Sequence, residues 1–339
     1  MRIAIVTDAW DPQVNGVVRT IQSVRKVLEK QGHDVKVISP DLFHSLPCPT
    51  YPEIRLALTR VATIGQMLEE FEPEAIHLAT EGPLCIAARR WCMRNGLPFT
   101  TAYHTQFPDY VSARTRLPAE WFWNYIRWFH APAQAILAAT PSIRQSLEEH
   151  GLKRIKPWGR GVDLTNFHAG VEPDAAMKEL PGPVQLYVGR VAVEKNLEAF
   201  LKTNQPGTKV IVGDGPARAM LEARYPDAMF RGAMFGPALA SAYAAADVFV
   251  FPSRTDTFGL VMIEALACGV PIAGYPVTGP IDIVTPETGG LSEDLDAAIA
   301  EALTKDRKAC AAYGRTFTWE TSAAQFFAGL CPLISRRAA

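Results

Sequence analysis

The chain is poor in cysteine, with six in 339 residues. None forms a Cys-x-x-Cys pair or a Cys/His spacing of the kind zinc uses, so neither a disulfide framework nor a structural metal site is indicated. Cys85, Cys268 and Cys331 sit in apolar helical context and read as small core residues. Net charge is also scarce. The 34 Lys and Arg nearly balance the 35 Asp and Glu, leaving −1, so no basic field recruits nucleic acid. No apolar run approaches the roughly 20 residues of a membrane-spanning helix. Solenoid-length repeats and low-complexity tracts are missing. The first residues, Met1-Arg2-Ile3-Ala4-Ile5-Val6, run directly into a strand pattern rather than a leader. The expectation is a reduced, cytoplasmic protein.

At 48% hydrophobic and 20% charged, the composition is globular, and the length suits two domains. Strand-like runs alternate with helical patterns along the chain, which predicts α/β architecture. The first half reads as strands at 2–7, 34–39, 75–79, 99–103 and 135–139, with helices at 16–31, 61–71, 84–95 and 142–150. Pro47-Cys48-Pro49-Thr50-Tyr51-Pro52 reads as a stiff loop, and 159–183, rich in Gly and Pro, as an inter-domain linker. The alternation restarts with strands at 184–188, 209–212, 229–232, 248–251 and 272–274. A final amphipathic helix is predicted over Thr321–Arg337. Two doubly wound, Rossmann-like domains facing across a cleft are the simplest arrangement, with ligands at the C-terminal ends of their strands.

The most informative stretch is Pro252–Gly269. It follows an apolar strand, crosses a polar loop and enters a helix through Leu260, Ile263, Leu266 and Ala267, stopped by Gly269 and Pro271. Unpaired N–H groups and a positive dipole end at 258–260 (Phe258, Gly259, Leu260), with Thr257 just before them as a further donor-binding candidate, suit an anion such as phosphate. Asp256 and Glu264 flank it, as a ligand with hydroxyls would require. An ordinary βα unit with a surface acid fits these residues equally. Gly213-Asp214-Gly215-Pro216 is not a Gly-x-Gly-x-x-Gly fingerprint and reads as a tight turn or a close approach to ligand. Arg190 and Lys195, at one strand tip, read as a diphosphate clamp or as surface cations. Asn15-Gly16 starts the first helix and leaves backbone open to a phosphate or sugar. His104 ends a strand. Six aromatics crowd Trp121–Phe129, with Arg116 and Arg127 beside them. That segment reads either as a helix on an anionic membrane or as one buried against the first domain's core.

Taken jointly, Asp8–Gly16, Gly161-Val162-Asp163, Val188-Gly189-Arg190, Lys195-Asn196, Val212–Pro216, Phe230-Arg231-Gly232, Pro252–Gly269 and Trp319-Glu320 resemble the GT4 family of retaining glycosyltransferases with the GT-B fold. The resemblance covers nearly the whole chain. It implies an acceptor-binding domain over 1–165, a nucleotide-sugar domain over 166–318, and a C-terminal segment 319–339 that crosses back to the first. By resemblance, Arg190 and Lys195 bind the donor diphosphate and Glu264 holds the ribose. Asp256 stands where the family usually has a Glu that contacts the sugar. His104 approaches the sugar's primary alcohol, Gly16 lies against the phosphates, and Gly213 is counted among the donor-binding residues. Arg231 falls where backbone groups usually read the base. No metal or other cofactor is implied, since the nucleotide sugar is a substrate.

The phrase Arg254–Gly259 is similar to that of the family's glycolipid synthases. The expected reaction is transfer from UDP-glucose or UDP-glucuronate to a lipid such as diacylglycerol, at the inner membrane face, with Arg116, Trp121, Trp123, Arg127 and Trp128 as the membrane or acceptor surface. The alternatives are a GDP-mannose-dependent mannosyltransferase with a glycan or soluble acceptor, a GT-B protein that binds nucleotide without transfer, and a sugar-nucleotide epimerase of the same fold.

Overall fold

The structure is a computed structural model. It describes residues 1–11, 13, 15–48, 51–104 and 118–333, with the side chains of all of these but 48 and 51–54. The chain divides into two compact units, Met1–Gly159 with Trp319–Ala339 (unit 1) and Arg160–Thr318 (unit 2). The passage at 159/160 comes earlier than the 165/166 boundary read from the sequence. The reason is packing: Val162 N donates to Phe317 O at 3.0 Å, and Phe167 is buried edge-on against Tyr243. The stretch read as a linker is thus folded into unit 2, including the short helix Ala175–Lys178 capped by Asp174.

Unit 1 holds β1 (Arg2–Val6), β2 (Asp34–Ile38), β3 (Ser45–Cys48), β4 (Tyr51–Ala57), β5 (Ala75–Leu78), β6 (Thr100–Tyr103), β7 (Ile136–Ala138) and β8 (Ile155–Pro157). Six of them form a parallel sheet in the order β2-β1-β5-β6-β7-β8. β1, β5 and β6 are buried almost without alternation, polar Thr100, Thr101 and His77 included, because helices cover both faces. The helix Gly16–Lys30 buries Val18, Ile21, Val24 and Leu28, one stripe at helical spacing. Asn15 caps it: its Oδ1 accepts from Val17 N and Val18 N, both at 3.0 Å. Of the stretch expected as a stiff loop, Pro47-Cys48 end β3 and Tyr51-Pro52 begin β4, which pair antiparallel, while Pro49 and Thr50 lie outside the described residues. Prolines are admitted there because the hairpin lies outside the main sheet, at edge positions.

Unit 2 holds β9 (Val184–Val188), β10 (Thr208–Val212), β11 (Met229–Gly232), β12 (Val248–Phe251), β13 (Ile272–Gly274) and β14 (Gly289–Leu291), parallel, in the order β11-β10-β9-β12-β13-β14. The helix Leu295–Ala302, which the hydrophobic pattern did not separate from its loops, packs Leu295, Ala298 and Ile299 into this unit's core.

The C-terminal helix is Trp319–Gly329, shorter than the predicted 321–337, of which 334–337 lie outside the described residues. Gly329 passes so close to Leu137 that a Cβ would stand 2.5 Å from its Cδ2, and Pro332 then bridges to Ala75. Ala323 and Phe326 join Ile3, Ile5 and Trp158 in the unit 1 core, and Ser322 Oγ donates to Gly159 O at 2.7 Å. Among the described residues no helix is long and apolar enough to cross a membrane. Cys85, Cys92, Cys268 and Cys310 are buried; Cys331, expected in the core, is only half-buried because it follows the end of the last helix.

Candidate functional site

In each sheet the strand order reverses once. The chain leaves β9 for β10 on one side and later crosses to β12 on the other, so β9 and β12 flank the switch point of unit 2. Side-chain-free backbone is required at these tips. Gly213 has φ +147, and a Cβ there would lie 1.8 Å from Gly189 O. Gly189 N in turn donates to Val212 O at 3.0 Å, and Gly213 N to Gly232 O at 2.7 Å, which locks the β9, β10 and β11 tips together. Tyr187, buried, donates its hydroxyl to Arg190 O at 2.9 Å and fixes the loop that carries Arg190 and Lys195. The exposed Arg190 side chain leaves this same tip. Asn196, in the left-handed region, ties that loop to β12 through Nδ2 and Pro252 O at 3.2 Å.

Across the switch point Lys195 Nζ donates to Asp256 Oδ1 at 2.6 Å, with both side chains about one quarter exposed at 25% and 24%. At that exposure such a pair contributes about 0–1 kcal/mol net. Asp256 Oδ2 is buried with no hydrogen-bond partner among the described residues, as is Ser253 Oγ. Gly259, φ +82, starts the helix Leu260–Ala267, which has no side-chain cap, so its first N–H groups and dipole are open to an anion. Arg254 braces the loop from outside, its guanidinium 3.7 Å from the Tyr275 ring centroid and 2.8 Å from Glu293. Lys195, Asp256, Gly213 and residues 257–260 thus come together as one strand-tip cluster.

Other predicted residues are placed differently. Glu264 is 1% exposed, accepts from the Tyr243 hydroxyl at 3.2 Å, and helps burial push the Cys268 thiol up to about 12. Phe258 is buried edge-on against Phe317. The Arg231 side chain is not available to read a base: Nη1 and Nη2 pair with Asp174 at 3.2 and 3.0 Å, holding that carboxyl below the usual range. Gly16 and His104 belong to unit 1. His104, 7% exposed, ends β6 with its ring edge-on to Trp158.

The aromatic segment forms the helix Ala119–His130, and it splits by face. Trp123, expected at the membrane or acceptor surface, is instead buried, stacked 3.6 Å from the His150 ring and packed beside Tyr103. Arg127 is held by Glu120 and Asn124, so it is not a free cation. Trp121 and Trp128 remain exposed, at 62% and 43%. Trp128 lies over the Arg89 guanidinium at 4.1 Å, and Arg89 bonds the carbonyls of Trp128 and Phe129, so the helix end is pinned. Arg116 lies outside the described residues.

At the tip of unit 1, where β1 and β5 flank the switch point, sequence reasoning named Gly16, His104 and the stretch Asp8–Gly16 but missed what Asp8 itself does. Asp8, 8% exposed, caps the helix Pro83–Arg94 from another strand. Its Oδ1 accepts from Leu84 N at 2.8 Å, and its Oδ2 from Thr80 Oγ1 at 2.9 Å and Cys85 N at 3.4 Å. Burial raises its pKa, and those hydrogen bonds oppose the rise. A Cβ on Gly82 would lie 2.3 Å from the Asp8 carboxyl carbon, so the glycine makes room for it. The glycine and the acid were the available signal, but 74 residues of sequence separate them. A cavity of ≈ 360 Å³ lined by Pro183, Asp247, Lys305 and Arg307 lies at the opposite edge of the unit 2 sheet, where strands begin, and is remote from the tip cluster.

Two parallel-sheet α/β units, one with an anion-ready tip and a lysine–carboxylate pair at its switch point, define a glycosyltransferase of the GT-B fold. The chain belongs to Glycosyltransferase Family 4, whose profile matches residues 14–166, while that of Glycosyl transferases group 1 matches 182–305. It is 34% identical over 322 residues to a GDP-mannose-dependent alpha-mannosyltransferase of Mycolicibacterium smegmatis, covering 87% of this chain and 85% of that one. An alpha-monoglucosyldiacylglycerol synthase of Streptococcus pneumoniae is 26% identical, over 89% of this chain and 78% of its own length. Among solved structures, sucrose-phosphate synthase from Thermosynechococcus elongatus superimposes with a TM-score of 0.77 at 21% identity, covering 96% of this chain and 97% of that one.

Proposed function

We propose that this glycosyltransferase is a GDP-mannose-dependent mannosyltransferase that retains anomeric configuration. The observation that carries the donor is the 34% identity, over most of both chains, to a protein of that name. It displaces the UDP-glucose or UDP-glucuronate donor expected from the loop phrase, because Arg254–Gly259 is a short match and its Arg254 is used structurally, against Tyr275 and Glu293. In the proposed reaction the diphosphate takes Lys195 from Asp256 and lies against the uncapped N-terminal end of the helix Leu260–Ala267, with Arg190 beside it. Preorganised groups of this kind are worth roughly 10²–10³ in rate each. Asp256, released, accepts from sugar hydroxyls and faces the developing positive charge. Glu264 holds the ribose, Gly16 lies against the phosphates, and His104 lies near the sugar's primary alcohol. The departing phosphate takes the acceptor's proton. No metal is required by this scheme.

Donor hydrolysis with GDP-mannose, UDP-glucose and UDP-glucuronate tests the reading. Turnover is expected with GDP-mannose. Turnover with a UDP-sugar alone would return the donor to the first expectation. Tight GDP binding without any turnover would make the protein a nucleotide binder.

A lipid acceptor is supported by the name of the pneumococcal relative and by the exposed Trp121 and Trp128. In vesicle flotation with phosphatidylglycerol at low salt, the protein is expected to float, and Trp121→Ser with Trp128→Ser to stay behind. If the wild type remains in the soluble fraction, the acceptor is a glycan or another soluble hydroxyl compound.

A further inference from the structure

The tip of unit 1 carries a second organised group of side chains. Thr101 Oγ1, in β6, lies 2.8 Å from His130 Nδ1, and His130 Nε2 lies 3.3 Å from Glu81 Oε1. The imidazole is fully buried, with 0% of its side chain exposed, while Glu81 is 21% exposed. The Tyr125 hydroxyl donates to Glu81 O and fixes the backbone of the same residue. Burial and the nearby charges of Glu81 and Asp8 push that phenol up to about 12, so it stays a donor. Glu81 follows β5, one strand from Asp8 after β1 and one from His104 after β6, at the edge and switch point where sheets of this class take ligands. Among the described residues only Oε1 of its carboxylate is engaged.

We infer that Glu81 is an acceptor-binding residue that takes a hydrogen bond from a hydroxyl of the sugar acceptor, with His130 and Thr101 as positioning residues behind it. The inference rests on the proposed transferase reading, with unit 1 as the acceptor unit. The chemistry selects the ligand class. The helix that begins at Pro83 is already capped by Asp8, so its dipole is not on offer to an anion. Two carboxylates at one tip repel a phosphate, while a neutral polyhydroxyl group meets a charged acceptor oxygen held rigidly from behind. A buried His donating to a part-exposed carboxylate sets its rotamer before the ligand arrives, which lowers the ordering cost of binding.

The test uses the intact protein with GDP-mannose as donor and two acceptor probes, octyl α-mannoside and diacylglycerol in phosphatidylglycerol vesicles. Glu81→Gln removes the charge at nearly constant shape. The acceptor KM is expected to rise roughly 10- to 100-fold, the equivalent of one lost charged hydrogen bond. The GDP-mannose KM, acceptor-free hydrolysis of GDP-mannose and the melting temperature stay near wild type. Thr101→Val is expected to move the acceptor KM in the same direction by less, and Glu81→Asp to restore part of it. A rise with the octyl glycoside alone assigns a glycan acceptor, and a rise with the vesicles alone assigns a lipid hydroxyl. An unchanged acceptor KM in Glu81→Gln, or an equal loss of acceptor-free hydrolysis, overturns the inference. Absence of GDP-mannose turnover in the wild type would overturn the donor assignment instead, so the two failures are distinguishable.

Discussion

The two switch points share a topology and differ in material. At the unit 2 tips, glycines strip away side chains, and what remains is bare backbone, an uncapped helix and one exchangeable lysine–carboxylate pair. At the unit 1 tips the groups are side chains already bonded to one another: Asp8 to Thr80 and the 83–94 helix, Glu81 to His130, His130 to Thr101. Backbone N–H groups and a dipole recognise phosphate oxygens without regard to side-chain conformation. Carboxylates and imidazoles, held from behind, recognise hydroxyls one at a time. In the proposed reading, one sheet plan therefore serves an anionic ligand in one unit and a neutral one in the other.

The sharpest way to break this contrast is Lys195→Ala. It removes the exchangeable cation and leaves Asp256 facing the phosphate unpaired. A fall in kcat/KM of roughly 10²–10³ with GDP-mannose is expected, with the melting temperature nearly unchanged because the pair itself stabilises little. A variant within threefold of wild type would show that Lys195 is a surface cation. Gly213→Ala tests the claim that unit 2 tips tolerate no side chain. Its Cβ meets Gly189 O, a backbone atom that can move only with β9. A loss of about 1–3 kcal/mol in denaturant stability is expected, with weakened GDP binding. Equal stability would mean that the tips separate easily.

What was legible in the sequence follows the same contrast. Gly213-Asp214-Gly215-Pro216 and Pro252–Gly269 are local: the turn, the strand and the helix start lie within a few residues of each other, and their chemistry is that of backbone. The tip of unit 1 is not local. Glu81 followed by Gly82 and Pro83 reads as a turn, and nothing in its neighbourhood points to His130 on a helix 49 residues away. The Arg231–Asp174 pair, separated by 57 residues, is hidden for the same reason. The crowded aromatics from Trp121 to Phe129 show a third limit. Composition said membrane or core, and only helix phase separates exposed Trp121 from buried Trp123.

The smallest expected effect probes whether the unit 1 tip has room for more negative charge. Asp8 is buried, and its carboxyl pKa is raised by that burial against the pull of Leu84 N, Thr80 and Cys85 N. A raised pKa means that the folded state favours the protonated acid more than the unfolded chain does. The charge then costs stability above the raised value, and the cost is relieved as pH falls through it toward the unfolded value of 3.8. Asp8→Asn keeps an oxygen for Leu84 N and cannot titrate. Melting temperatures of both proteins at pH 7 and at a pH near 4 cancel the other carboxylates, which are the same in each. The wild type is expected to gain on the variant at the lower pH, read as a rise of its melting temperature relative to the variant's. A gap that moves the other way would mean that the helix N-terminus satisfies the Asp8 charge in full. Burial of that acid would then carry no penalty, and the contrast between the two units would rest on Glu81 alone.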